Sequence, residues 1–542
     1  GSDDAKTRLL SMDRLGGDVR EEAISDLARV IYVSPNGHYI AHQQGFDVHV
    51  ALRPLTGQPL VLSPKMATVP GKRASFVGGL FVHWSNDSRS LSWSTGPDYF
   101  TADVDDVLFN EQPNLQKTPL SMRATAAKPA GITAIIGARL ITMNAERGVL
   151  DNATVLIEGN RIKALGTDVR IPQDAKVFNA RGKTIMPGMI DAHAHGPYAR
   201  GNVVPEQNYN MLAHLALGVT TVHNPSSNAA QVFAAAEYQR AGKILGPRIF
   251  STGNIVYGAK SLGFAPVSNL EDALRHVRRL KAQGAISIKN YNQPRREQRQ
   301  QVIEAARIEQ MLVVAEGGSL FHMDMNLIAD GSTGIEHNVP ALNLYDDVVQ
   351  FWGASQVGYT PTLVVVYGGL TSEDYYYAES DVWTHPILSG FVPPTILQPR
   401  SVRRLKAPER DYRDDDAARS AKRLLDVGVV VNTGAHGQRE GLATHWEMWS
   451  FARGGMSAMQ VLSLSTINPA QYLGMANDLG SIEVGKLADL VIMNSNPLED
   501  IRRTDDISHV MLNGRLYEAG NLRETLTGDH QLEPFWFSAA LP

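Results

Sequence analysis

The chain has 542 residues, too long for one ordinary domain and enough for roughly three. Its composition is that of a packed globular protein, 43% hydrophobic and 20% charged; a net charge of -5 gives no footprint for nucleic acid, and no apolar run approaches the ~18 residues of a membrane span. The absence of cysteine excludes disulfides and thiolate ligands, so a metal must be held by histidine, carboxylate or a modified side chain.

The first residues show no basic stretch followed by an apolar one. Two readings remain, a cytoplasmic chain or one whose leader is absent from this sequence. The lack of thiols tilts the expectation toward a periplasmic or secreted setting in a bacterial envelope. Ser34-Pro35-Asn36-Gly37 and Ser85-Asn86-Asp87-Ser88 each place a polar turn before an alternating strand, at a spacing near the ~40–50 residues of propeller blades. They resemble the turns of TolB-type propeller repeats. Residues 1–125 are therefore expected to form a partial β-propeller of two or three blades. Closure takes at least about four, so further blades are expected on an upstream segment or chain, and a small β-rich cap is the plainer alternative.

Residues 117–129 form a linker. Short strands follow from Ile132, and they return at 480–520 around Leu487-Ala488-Asp489-Leu490-Val491 and Val510-Met511-Leu512. Residues 126–185 and 479–525 are expected to pair into one composite β-sandwich, with 526–542 as a peripheral tail. Between them, over 186–478, apolar runs alternate with helical stretches: the strand ahead of the histidine pair, then runs ending near Val222, Ser251, Lys289, Glu316, His337, Leu363 and Thr433. Eight such units have the rhythm of an α/β fold of the (β/α)8 TIM-barrel kind, with a doubly wound open sheet as the alternative.

In a barrel, chemistry belongs at the C-terminal strand ends. His193 and His195 follow strand one, and a His-x-His strand aims both imidazoles one way. Lys289, Glu316 and His337 close strands four, five and six, and His436 lies just past strand eight. Taken singly, a snorkelling lysine, a buried salt bridge and a core histidine are the commoner readings; joint placement at successive strand ends reverses that.

Met186-Pro187-Gly188-Met189-Ile190-Asp191-Ala192-His193-Ala194-His195 resembles the opening signature of the amidohydrolase superfamily. Gly218-Val219-Thr220-Thr221-Val222 resembles its second strand, and Leu487-Ala488-Asp489-Leu490-Val491 its C-terminal signature. The likeness covers residues 132 to about 520 and is greatest to the imidazolonepropionase-like branch fused to a TolB-type propeller. It implies two divalent ions, zinc with manganese as the alternative. His193 and His195 would hold the more buried ion, Glu316 and His337 the second. Lys289, carboxylated by carbon dioxide, would bridge them as a carbamate.

The sequence departs from the family twice. Glu316 stands where histidine is usual, giving a harder, more anionic donor. Gly434 stands where the family has a strand-eight aspartate that binds metal and moves the proton. His436, two residues on, is the candidate replacement as ligand or general base, since imidazole exchanges protons near neutrality; a loop histidine touching substrate is the other reading.

The implied chemistry is hydrolysis of a C–N amide bond by a metal-bound hydroxide, with His436 as shuttle and His223 as donor to the carbonyl oxygen. Tyr291, Asn292 and Tyr367 are candidates for substrate binding, and Tyr375, Tyr376, Tyr377 and Trp383 for an aromatic lid. A small peptide-like substrate is expected: a dipeptide including Xaa-Pro, an N-acyl amino acid or a cyclic amide. A homo-oligomer is expected as well. A binding or scaffold protein with a degenerate barrel, and a metal-dependent deaminase, stay open as alternatives.

Overall fold

The computed structural model describes residues 6–66, 68–259, 265–318, 320–341, 343–400, 403–404 and 406–538. The chain forms two compact units, one of Gly1–Arg123 with Asn254–Met311, the other of Ala124–Gly253 with Leu312–Pro542.

The first unit begins strand-rich. Ala28–Val33, Tyr39–Gln44, Asp47–Leu52 and Gly71–Arg73 form one four-stranded antiparallel sheet, and Leu80–Trp84, Ser90–Thr95, Asp98–Asp103 and Leu115–Pro119 form another. The two similar turns share their bonding. Ser34 Oγ accepts from Tyr39 N (3.0 Å) and Ser85 Oγ from Ser90 N (2.9 Å), each hydroxyl donating to the carboxamide or carboxylate two residues on. These Ser-centred turns release each strand into alternation, which buries Ala41, Val48, Val50, Leu91 and Trp93 in a common core. The rest of the unit carries the helix Leu270–Gln283, capped by Asn269 and ended by left-handed Gly284, then the strand Ser287–Asn290 and the helix Arg296–Ile308.

The second unit holds a nine-stranded sheet. Ile132–Ile141 runs as one continuous strand with irregular register. Thr184–Pro187 bonds to it on one side and to Leu490–Met493 on the other, so residues 132–187 and 490–525 share a sheet. The apolar run ahead of the histidines therefore belongs to this sheet. The first of the parallel strands is instead the short Met189–Asp191, beyond a turn at Gly188 where a Cβ would strike Thr220.

Val219–Asn224 lies between Met189–Asp191 and Arg248–Ser251, and Gly334–Glu336 lies between Leu312–Glu316 and Gly358–Thr360; all these pairings are parallel. Residues 430–433 join the two sets. Tyr359 N donates to Val430 O, Asn432 N to Tyr359 O, and Ala192 N to Thr433 O. Val219–Asn224 is buried at every position, as a parallel strand covered on both faces must be, which explains its unbroken Val-Thr-Thr-Val text. Helices Tyr209–Ala216, Ala229–Arg240, Phe321–Ala329 and Asp346–Ser355 alternate with these strands. No helix among the described residues is long and apolar enough to cross a membrane.

Candidate metal centre

The carboxylate of Asp191, at the end of its strand, clamps the site from below. It accepts from His193 N (3.1 Å), Ala435 N (3.1 Å) and Thr444 Oγ1 (2.9 Å), tying the His-x-His segment to the loop after residue 433. Complete burial pushes its pKa up to about 6, against the pull of those bonds.

Gly434 has no room for a side chain. A Cβ there would stand 2.4 Å from Thr360 Cγ2 and 2.7 Å from His193 Cβ, so an aspartate cannot occupy this position in this backbone. The chain curls on instead. His436 adopts a left-handed φ of 57° and donates its backbone N–H to His193 O at 2.6 Å, which turns its imidazole back over the strand end.

Four imidazoles meet there. Ring centroids of His193 lie 5.0 Å from His195, 4.9 Å from His337 and 5.1 Å from His436; His436 is 4.7 Å from His195 and 5.1 Å from His337. Nitrogens of His193, His337 and His436 all fall within 4.8 Å of one another. The structure thus brings His436 into the same space as the His-x-His pair.

The outer nitrogens fix what the inner ones can do. His193 Nδ1 faces Glu336 Oε2 at 2.6 Å, and His195 Nδ1 faces Asn224 Oδ1 at 2.9 Å. The Asn224 atom also accepts from Ser226 N, so it is an oxygen and His195 must donate to it. With the protons on both Nδ1 atoms, the neutral rings turn lone pairs toward each other, and their Nε2 atoms stand 3.2 Å apart. His337 repeats the arrangement: Thr362 Oγ1 lies 2.8 Å from its Nδ1 and itself donates to Pro361 O, while His337 Nε2 faces Glu316 Oε1 at 3.5 Å. Acceptors facing acceptors at these distances repel unless a cation lies among them. The donor set, imidazole nitrogens with one carboxylate and anchored outer nitrogens, fits a divalent metal ion.

Glu336 is fully buried and carries a second contact. Tyr472 donates its hydroxyl to Glu336 Oε1 at 3.0 Å. Room for that ring comes from two glycines, since a Cβ at Gly334 or Gly358 would lie 2.0 or 2.8 Å from it. Burial and the Glu336 charge push the Tyr472 pKa well up, so it stays a donor. Glu336, Asn224, Thr362 and Tyr472 were not singled out from the sequence. The one signal was the charged residue ahead of His337 in an otherwise apolar strand, a cost that burial tolerates only with partners.

The remaining candidates divide. Glu316 and His337 join the cluster, and Tyr367 sets its ring 5.6 Å from that of His337 while staying 40% exposed. His223 is fully buried and lies outside the triad, donating Nδ1–H to Ala192 O at 3.0 Å. Lys289, buried on its strand, Tyr291, packed edge-on to Tyr257, and Asn292, at a φ of 36°, belong to the first unit. Of the aromatic segment, Tyr376 and Tyr377 do not cap the site: Tyr376 stacks on Trp446 at 5.5 Å, Tyr377 packs edge-on to the same ring, and both are core residues. Their helix buries apolar rings against Leu442–Arg453, the commoner use of aromatics.

Comparison with known proteins adds three findings. The model of the amidohydrolase family matches residues 184–517. The chain is similar to an imidazolonepropionase of Geobacillus kaustophilus, 24% identical over 64% of this chain and 85% of that one. A 5-methylthioadenosine/S-adenosylhomocysteine deaminase of Syntrophomonas wolfei is 22% identical over 72% and 94%. Among solved structures, a Xaa-Pro dipeptidase with methionine bound in its active site shares the fold with a TM-score of 0.55, at 23% identity over 72% of this chain and all of that one.

Proposed function

This chain belongs to the amidohydrolase family and is a hydrolase of carbon–nitrogen bonds; from that premise we propose that it cleaves the amide bond of a small peptide-like substrate, a dipeptide including Xaa-Pro, an N-acyl amino acid or a cyclic amide. The observation that carries the reading is the convergence of four imidazoles, three of which, His193, His195 and His337, have outer nitrogens anchored on Glu336, Asn224 and Thr362. A divalent ion held there would lower the pKa of a water and polarise a carbonyl.

The protein's own groups do the rest. His193 and His195 would hold one ion and Glu316 and His337 a second, with Lys289 as the proposed carbamate between them on the strength of its motif position. His436 replaces the excluded strand-eight aspartate, as a further ligand or as the base that carries a proton to the leaving nitrogen. His223 is proposed to donate to the substrate carbonyl. Tyr367 offers an exposed ring beside His337, and Tyr291 and Asn292 are proposed to reach the substrate from their loop. The parallel strands are proposed to close as a (β/α)8 barrel, and the two four-stranded sheets to be propeller blades. The dipeptidase named above supports the substrate class.

Metal analysis of protein made with ample zinc and manganese, followed by a screen of dipeptides and N-acyl amino acids read by amine release, tests the proposal. One to two equivalents of metal and amine release are expected; metal-free protein from replete cells sinks the reading. The deaminase relative favours a second reading, which predicts ammonia release from aminated heterocycles with peptides untouched.

A further inference from the structure

A cavity of 670 Å³ lies wholly within the unit of residues 1–123 and 254–311 and shares no lining residue with the four-histidine cluster. Its floor is built by Gln44, Asp47 and His49, on strands joined by a tight turn that pairs Gln44 with Asp47. All three are buried, at 8%, 6% and 5% exposure. Gln44 Oε1 and His49 Nδ1 have no hydrogen-bond partner. Burial, with His42 beside it, pushes the His49 pKa down to about 3, so the ring is neutral. Asp47 is shared by Arg275 and, at 4.0 Å, by Arg73; burial raises its pKa and the two guanidinium groups oppose that.

Two acceptors here, Gln44 Oε1 and His49 Nδ1, thus lack donors, beside an Asp47 whose charge Arg275 and Arg73 share; a buried acceptor without a donor costs about 1–3 kcal/mol. Lys65, Lys72 and Arg73 also line the cavity, together with the carboxylates of Glu111 and Asp272, and the Arg73 side chain is 39% exposed. Phe76 and Val107 supply an apolar wall. A ligand that suits all three surfaces carries an ammonium and an adjacent anionic group, matching the 4.0 Å between Asp47 and Arg73, with an aliphatic side chain for the apolar wall.

We propose that this cavity binds a small zwitterion of the amino-acid class, its ammonium on Gln44, Asp47 and His49 and its carboxylate toward Arg73 and Lys72. The site is separate from the metal centre and does not depend on the reaction proposed for it. None of its lining residues is among the proposed metal ligands, and it is proposed as a binding site.

Calorimetric titration of the full-length, metal-loaded chain tests this with three probes: L-leucine, 3-methylbutylamine, which lacks the carboxylate, and 4-methylpentanoate, which lacks the ammonium. L-Leucine is expected to bind saturably, and each truncated probe at least about tenfold more weakly. Arg73→Ala, at an exposed position that does not endanger folding, and His49→Phe are each expected to weaken leucine by about tenfold or more, with metal content and amide turnover unchanged. No saturable binding of leucine up to about 10 mM overturns the proposal. So does equal binding of the three probes, or leucine affinity unaltered by Arg73→Ala, which would place the amino acid elsewhere.

Discussion

Two histidine pairs in this protein have the same ring separation and opposite chemistry. His42 and His49 sit across an antiparallel pair with centroids 5.0 Å apart and planes 17° apart; His193 and His195 are also 5.0 Å apart, with planes at 88°. In the first pair both His42 nitrogens lack a partner, and burial pushes its pKa down to about 4. In the second, each Nδ1 is held by a buried acceptor, so the Nε2 edges are aimed. Proximity alone makes a stacked neutral pair. Anchoring on the far nitrogen makes a donor set.

The contrast can be broken in order of expected effect. His193→Ala should abolish high-affinity metal binding and lower amide turnover on the order of 10³-fold or more, read by metal content and steady-state kinetics, whereas His42→Phe should leave both unchanged. Gly434→Asp should cost about 1–3 kcal/mol of stability through contact with His193 and Thr360, and should lose activity instead of gaining it, as urea titration and kinetics would show. Glu336→Gln keeps the shape but removes the charge behind His193 Nδ1; zinc affinity measured against a chromophoric chelator should fall about 10–100-fold. Tyr472→Phe removes one hydrogen bond to that carboxylate and should weaken zinc by about several-fold in the same assay.

The stacked pair gives a pH signature of its own. His42 has a folded pKa below its unfolded value of 6.5, so the unfolded chain binds the extra proton first as pH falls. Its neutral state stabilises the fold fully above about pH 6.5, and that contribution drains away down to about pH 4, worth roughly 3 kcal/mol. Urea midpoints across this window should fall less steeply in His42→Phe than in the wild type; an identical slope would show that His42 does not titrate on unfolding.

Much of this centre was legible before any coordinates. His193, His195, Glu316, His337 and His436 could be nominated because each ends an apolar run, and a period of strand and helix puts run ends together. Their anchors were not. Glu336 reaches His193 across 143 positions and Asn224 reaches His195 across 29, and no local pattern encodes which acceptor stands behind which ring. The fate of His436 was open for the same reason: it depends on the space at Gly434, which is set by Thr360 and His193. The aromatic segment misled because Tyr-Tyr-Tyr reads alike whether it caps a pocket or fills a core. The strand ahead of the histidines was misplaced because Gly188 breaks one apolar run into two strands of different sheets.

The crowding at Gly434 also constrains substitution. A single substitution to aspartate meets Thr360 and His193 at once, and the second of these cannot be trimmed without losing a ligand. A smaller residue at 360 would relieve one of the two contacts, so what a side chain at 434 costs depends on what stands at 360, and the two positions are coupled.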